Sequence, residues 1–231
     1  MKNIQICPNC GAENSFYAQN CTNCGNVLRD RVVNIDLWKT FWELIENPKY
    51  AFSRIIFSEH KNFISIIILL AGIKFFLNSF TVKNIITKGA NNFEIFLNLL
   101  ISTGGFIIFI VLVSGLIHFT LKSSQIKSRF KDVIAVFSYS FIPMIIGLIL
   151  FFPLEYALFG EYFFTYNPSP FFIKPTASYI LIFLESLLYL WTLILFILGM
   201  TIISGKKLFS VFLGIIIFLI FGFFQIFIPF F

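Results

Sequence analysis

Between Gly104 and Leu150 two membrane-long apolar runs are separated by a short basic segment. The first, GGFIIFIVLVSGLIHFTL, carries no formal charge unless His118 is protonated, and the second, VIAVFSYSFIPMIIGLIL, carries none. The joining KSSQIKSRFKD sets Lys122, Lys127, Arg129 and Lys131 against the single acid Asp132. About 20 apolar residues cross a bilayer core of about 30 Å, and cations at a turn keep that turn in the cytoplasm. The stretch reads as a transmembrane helical hairpin, and its polarity sets the direction of everything else.

Composition places the rest of the chain in the same solvent. Hydrophobic residues make up 58% of it and charged ones 12%, against roughly 45–50% and about 25% in soluble domains. In lipid the backbone must satisfy itself, which leaves helices or closed barrels. A barrel needs alternating faces over short strands, and NFISIIILLAGI and VFLGIIIFLIFGFF do not alternate. The expected fold is an all-α polytopic membrane protein. Five spans are expected, at Phe63–Val82, Ile95–Leu121, Val133–Phe152, Tyr179–Ile203 and Leu208–Ile228.

The net charge of +6 is spread over loop–membrane junctions rather than gathered into a patch, so no nucleic-acid partner is expected. Of the 17 lysines and arginines, thirteen fall before Phe63, in 122–132 or in 204–207, and three in 83–94 and 153–178; Lys74 lies inside the first span. The excess puts the N-terminus in the cytoplasm and Phe231 outside. Residues 1–30 hold no apolar core of a secretory signal, so the first translocated element is expected near Phe63.

Those first 30 residues carry all four cysteines, as Cys7-Pro-Asn-Cys10-Gly and Cys21-Thr-Asn-Cys24-Gly, ten residues apart. Each turn puts two sulfurs on one side of a tight loop, with Gly11 or Gly25 relieving the backbone behind them. Four thiolates with no open position suit one structural Zn2+. A module this small has no adequate core, and metal binding worth about 10–16 kcal/mol would supply its folding energy. Two disulfides are disfavoured because cytosolic thiols stay reduced. A redox pair is disfavoured because nothing βαβ-like surrounds the cysteines.

Residues 31–61 form a linker and amphipathic juxtamembrane helices, and 62–231 the span region. Leu37, Phe41, Leu44 and Ile45, then Phe52, Ile55 and Ile56, recur at helical spacing. Asn47-Pro48 punctuates the pattern, as a cap and a first helical residue. Trp38, Trp42 and Tyr50 suit the headgroup level. The helices lie either on lipid or on the cytoplasmic face of the bundle.

NPKYAFSRI before the first span, GLIHFTLK closing the second, FKDVIAVFSYSFIPMIIG opening the third and LWTLILFILGMTIISGKKLFSVFLGI across the last two resemble the Yip (Ypt-interacting protein) domain family from about Asn47 to Ile220. The N-terminal module resembles the zinc ribbons that precede many prokaryotic membrane proteins. The resemblance implies five spans and a cytosolic N-terminus. Eukaryotic relatives bind prenylated small GTPases in vesicle traffic, but the acidic-aromatic segment of those relatives is missing here, with Asn47-Pro48-Lys49-Tyr50 its faint counterpart. GTPase binding is therefore not expected.

Ionisable groups inside the membrane cost about 2.5–3.5 kcal/mol each and are candidates for function. Lys74 and Glu185 come within ~4–5 Å of the same depth at ~1.5 Å per residue, and Asn78 and Asn98 fall in the same half. The bland reading is an ion pair that fixes helix register; the sharper one is a transport pathway. His118, beside Lys122, reads as an interfacial polar residue, and Ser138, Ser140 and Pro143 as a kink or close helix contact. No nucleophile–base pair or phosphate loop is found, so no enzyme is expected. The leading expectation is a scaffold or adaptor in membrane organisation or trafficking-like processes, in a prokaryotic cell membrane. Its ribbon would dock an unknown protein partner, with homo- or hetero-oligomers left open. A small transporter or channel using Lys74, Asn78, Asn98 and Glu185 is the alternative.

Overall fold

A computed structural model of the chain describes residues 3–86, 95–165 and 167–227. Most of the expected 83–94 connection and the expected external Phe231 lie outside the described residues. Two short strands, β1 (Ile4–Ile6) and β2 (Glu13–Ser15), pair antiparallel with Gln5 opposite Asn14. Helices α1 (Leu37–Glu46) and α2 (Pro48–Phe57) follow, each opened by a side-chain cap. Asp36 accepts from the Lys39 N–H at 3.0 Å, and Asn47 from that of Tyr50 at 3.3 Å. Pro48 at the first position of α2 loses nothing, because its N–H would be orphaned there anyway.

Both helices pack against the bundle on one face, with Leu44 of α1 in its core. Ala51, Phe52, Ile55 and Ile56 of α2 are completely buried against the bundle, whereas Trp38 and Trp42 of α1 stay exposed. An Arg54–Glu43 ion pair at 2.5 Å holds α1 to α2.

The apolar helices are α3 (Ile64–Ile86), α4 (Ile95–Ser123), α5 (Phe130–Ser140), α6 (Ile142–Phe159), α8 (Pro175–Ser204) and α9 (Lys207–Phe227). A 3-10 turn over Gly160–Phe164 and the short α7 (Pro170–Ile173) join α6 to α8. Among the described residues, four segments are long and apolar enough to cross a membrane: α4, Phe130–Phe164, α8 and α9. The first of the five expected spans falls on α3, a 23-residue helix that is apolar over Ile64–Ser79.

Phe130–Phe164 is the central segment: 72% of its apolar window is buried, against 22–28% in the other three. It is two helices, not the single expected span, because the chain breaks at Phe141 just before Pro143. Pro143 cannot donate to the Tyr139 carbonyl. The expected serines do bond carbonyls here, but one turn earlier: Ser138 Oγ donates to Ile134 O and Ser140 Oγ to Val136 O, both at 2.7 Å. The break is packed solid, with Tyr139, Ser140 and Phe141 all nearly without exposed surface. Phenylalanine rings fill the interior around it. Phe106 meets Phe141 edge-on at 5.2 Å between centroids, and Phe109 stacks on Phe224 at 5.0 Å.

A second departure lies at the other end. The outer loop expected from residue 153 starts later, because α6 runs through Pro153 to Phe159. A proline inside a transmembrane helix is tolerated when neighbours take up the freed groups. The extra turn carries Glu155 into the bundle.

Candidate functional site

Two polar constellations stand out, one at each end of the bundle. In the ribbon, the two cysteine turns are built alike. Cys7 N donates to Ala12 O at 3.0 Å and Cys21 N to Asn26 O at 2.8 Å, while the Gly11 and Gly25 N–H groups each return to the first cysteine's carbonyl at 3.0 Å. Gly11 and Gly25 sit at φ +68° and +73°, left-handed backbone that glycine adopts without strain. The four Sγ atoms lie within 4.8 Å of one another, with Cys7–Cys24 at 3.7 Å and Cys10–Cys21 at 3.5 Å. A tetrahedron of Zn–S bonds of about 2.3 Å has edges of about 3.8 Å, so the donor set fits a metal of that kind. All four thiols are free. The backbone N–H of Cys24, then that of Asn23, bring the Cys21 thiol down to about 6, and the backbone N–H of Asn26 lowers Cys24. These two shifts favour the thiolate that a metal needs, whereas Cys10 goes the other way, to about 11: the Ala12 backbone hydrogen bond lowers it, but burial and the neighbouring Cys24 and Cys21 sulfurs raise it.

The ribbon is clamped to the bundle. Asn3 Nδ2 donates to Lys127 O at 2.9 Å and Ile203 O at 3.0 Å, which brings the 122–132 connection, the α8–α9 turn and the ribbon together at one end. Tyr17 Oη donates to Asp132 Oδ2 at 2.6 Å, and Lys61 Nζ lies 2.9 Å from Asp132 Oδ1. Asp132 is fully buried at the first turn of α5, where the helix dipole favours an anion. Lys61 also donates to the carbonyls of Ile55, Ile56 and Ser58 that end α2. The Arg129 guanidinium lies 4.1 Å from the Tyr17 ring centre and that of Arg29 lies 4.4 Å from Phe57. Burial, then the Asp132 charge, push the Tyr17 phenol well above its ordinary value. Burial lowers Lys61 while Asp132 opposes the shift. Pro8–Gly11 and Thr22–Gly25, the tips of both turns, remain exposed.

The second constellation lies among α3, α6, α8 and α9. Lys74 is completely buried, with Nζ 2.6 Å from Glu185 Oε1 and 3.8 Å from Glu155 Oε2. Asn78 Nδ2 donates to Glu185 Oε2 at 3.0 Å and to Tyr189 Oη at 3.1 Å. Tyr189 Oη donates onward to Gln225 Oε1 at 2.7 Å. The structure thus brings Lys74, Asn78 and Glu185 together. Asn98, half-buried on α4, takes no part in the contacts described. His118 Nδ1 lies 3.1 Å from Ser128 Oγ at the opposite end.

Sequence reasoning missed Glu155, Tyr189 and Gln225, as well as the Tyr17–Asp132–Lys61 contact. Glu155 lies beyond Phe152, where the third expected span ends, and so falls in the expected outer loop. Gln225 had a signal, since it is the only amide in the last apolar run. Asp132 had a fainter one, as a lone acid opening a helix.

A family model described as Yip1 domain matches residues 42–228. No curated protein and no solved structure matches the chain.

Proposed function

Because this chain belongs to the Yip1 domain family, we propose that it is a non-enzymatic integral membrane protein. It acts as a scaffold or adaptor in membrane organisation or trafficking-like processes, with its cytosolic ribbon as the docking module. The reading takes residues 1–30 as a ribbon holding one structural Zn2+, 31–61 as linker and juxtamembrane helices, and 62–231 as five spans with α3 the first. The N-terminus is cytoplasmic, the C-terminus outside, and the host a prokaryotic cell membrane. One observation carries the docking role: the Phe16–Tyr17 side of the ribbon is seated on the bundle while both cysteine-turn tips face outward. A module held this way presents one fixed surface to a protein partner. At the α5–α6 break Tyr139, Ser140 and Phe141 are almost completely buried, which supports a packed scaffold rather than a gate at that point.

The test compares crosslinked partners of the full-length chain with those of a Cys7→Ser/Cys10→Ser variant. Loss of specific crosslinks in the variant, with membrane insertion unchanged, supports docking. The same partners for both proteins overturn it.

A further inference from the structure

Lys74, Glu155 and Glu185 do not balance. Two carboxylates face one ammonium, so with all three ionised one negative charge stays inside the bundle. An uncompensated buried ion costs several kcal/mol even after relaxation. The elements packed around this group bring no second cation among the described residues. Titratable groups nearby are Tyr189 on α8, which is hydrogen-bonded on both sides, and the exposed Glu161, Tyr162 and Lys174 on the α6–α8 connection. Exposed Tyr156 and Tyr179 face away, and His118, Lys122 and Lys207 sit at the far end of their helices.

The two carboxylates are not equivalent. Glu185 is engaged through both oxygens, by Lys74 and Asn78. Glu155 is 4% exposed, and its Oε2 makes no hydrogen bond, with Lys74 only at 3.8 Å. Both acids line one cavity of about 20 Å³ together with Thr81, Phe163 and Ser178. That is room for one water-sized species and no more. A neighbouring cavity of about 120 Å³ shares Thr81 and Glu185 and continues past Asn78 and Ser186 to Gln225, whose Nε2 is also without a partner.

We propose that Glu155, completed by Glu185 and Thr81, is the binding site for a single positive charge: a proton or one small monovalent cation. Glu155 is the residue that takes the charge, Glu185 remains paired with Lys74, and the occupied site is electrically neutral. The surplus of one charge disfavours a divalent ion, which would leave the site positive.

The experiment measures thermal unfolding of the full-length protein in detergent at constant ionic strength. N-methylglucamine chloride is replaced stepwise by sodium or potassium chloride, and pH is varied separately between about 5.5 and 8.5. Glu155→Gln keeps the shape and removes the surplus charge; Glu161→Gln, at the exposed neighbour, is the control. If an alkali cation occupies the site, sodium or potassium raises the wild-type midpoint saturably by about 5–10 °C. If a proton occupies it, the midpoint ignores both salts but rises on acidification, because proton binding to the folded state stabilises it by mass action. In either case Glu155→Gln loses the response and Glu161→Gln keeps it. A wild-type midpoint insensitive to sodium, potassium and pH overturns the proposal, as does an undiminished response in Glu155→Gln.

Discussion

Lys74 shows how much one side chain can decide in this solvent. Completely buried, it meets Glu185 at 2.6 Å and stands 3.8 Å from Glu155. Removing one partner of a buried ionic group strands the other charges, so Lys74→Ala should lower stability by about 3–5 kcal/mol. Adding Glu185→Ala should restore part of that loss, read as the unfolding midpoint in detergent; strictly additive losses would dissolve the coupling. Tyr17 is the matching residue at the ribbon. Tyr17→Phe removes a hydrogen bond to a buried carboxylate, worth about 1.5–3 kcal/mol. It should make the chain around Arg29–Arg31 cleavable by trypsin while leaving the bundle's unfolding almost unmoved.

The same tyrosine sets a pH limit. Its folded-state value is raised by burial and by Asp132, so its contribution is fully present below the ordinary phenol value of about 10 and lost as pH rises beyond it. Ribbon protection from trypsin should therefore fall above about pH 10. Tyr17→Phe should show no such alkaline step.

Between elements, glycine positions set how closely the helices approach. A methyl group on Gly199 of α8 would stand 2.5 Å from Val136 Cγ1 of α5 and 3.0 Å from Phe52 Cδ1 of α2. One on Gly147 of α6 would stand 2.6 Å from Leu188 Cδ1 and 3.3 Å from Lys74 Cε. Overpacking costs about 1–3 kcal/mol in such settings. Val136 is stiff at χ1 and completely buried, whereas Leu188 and Lys74 present the far ends of flexible chains. Gly199→Ala should therefore destabilise more than Gly147→Ala, and equal midpoints for the two variants would contradict that ranking. The α5–α6 break belongs to this scale too: two short helices replace one long one so that Pro143 needs no N–H and Phe141 can turn into the aromatic core.

Over the whole molecule, the ribbon and the bundle are separate sources of stability joined by a polar seam. The bundle rests on aromatic packing and backbone satisfaction in lipid; the ribbon, with two three-residue strands, has little core of its own, and the proposed Zn2+ would supply its stability. Chelation should expose 1–30 to protease and leave the helical circular-dichroism signal nearly unchanged. Collapse of both together would place the metal in the fold of the bundle itself. Much of this organisation was visible in the residues alone: membrane-length apolar runs cannot be anything but helices when they fail to alternate, and two repeated cysteine turns in one short segment bring their four sulfurs together. Those are local facts, determined by chain chemistry and solvent.

Lys74, Asn78 and Glu185 were grouped from their depths alone and do meet, but which other polar groups join them was another matter. Glu155 and Gln225 are 70 residues apart in the chain, and neither carries a sign of its partners; the continuation of α6 through Pro153 decided the first and the seating of α9 against α8 the second. The Tyr17–Asp132 contact spans 115 positions. A residue's own neighbours in sequence determine whether it can be buried, because burial is a question of solvent. Its partner in space is chosen by helix packing, where small residues, broken turns and ring contacts act together, and only the folded bundle holds that answer.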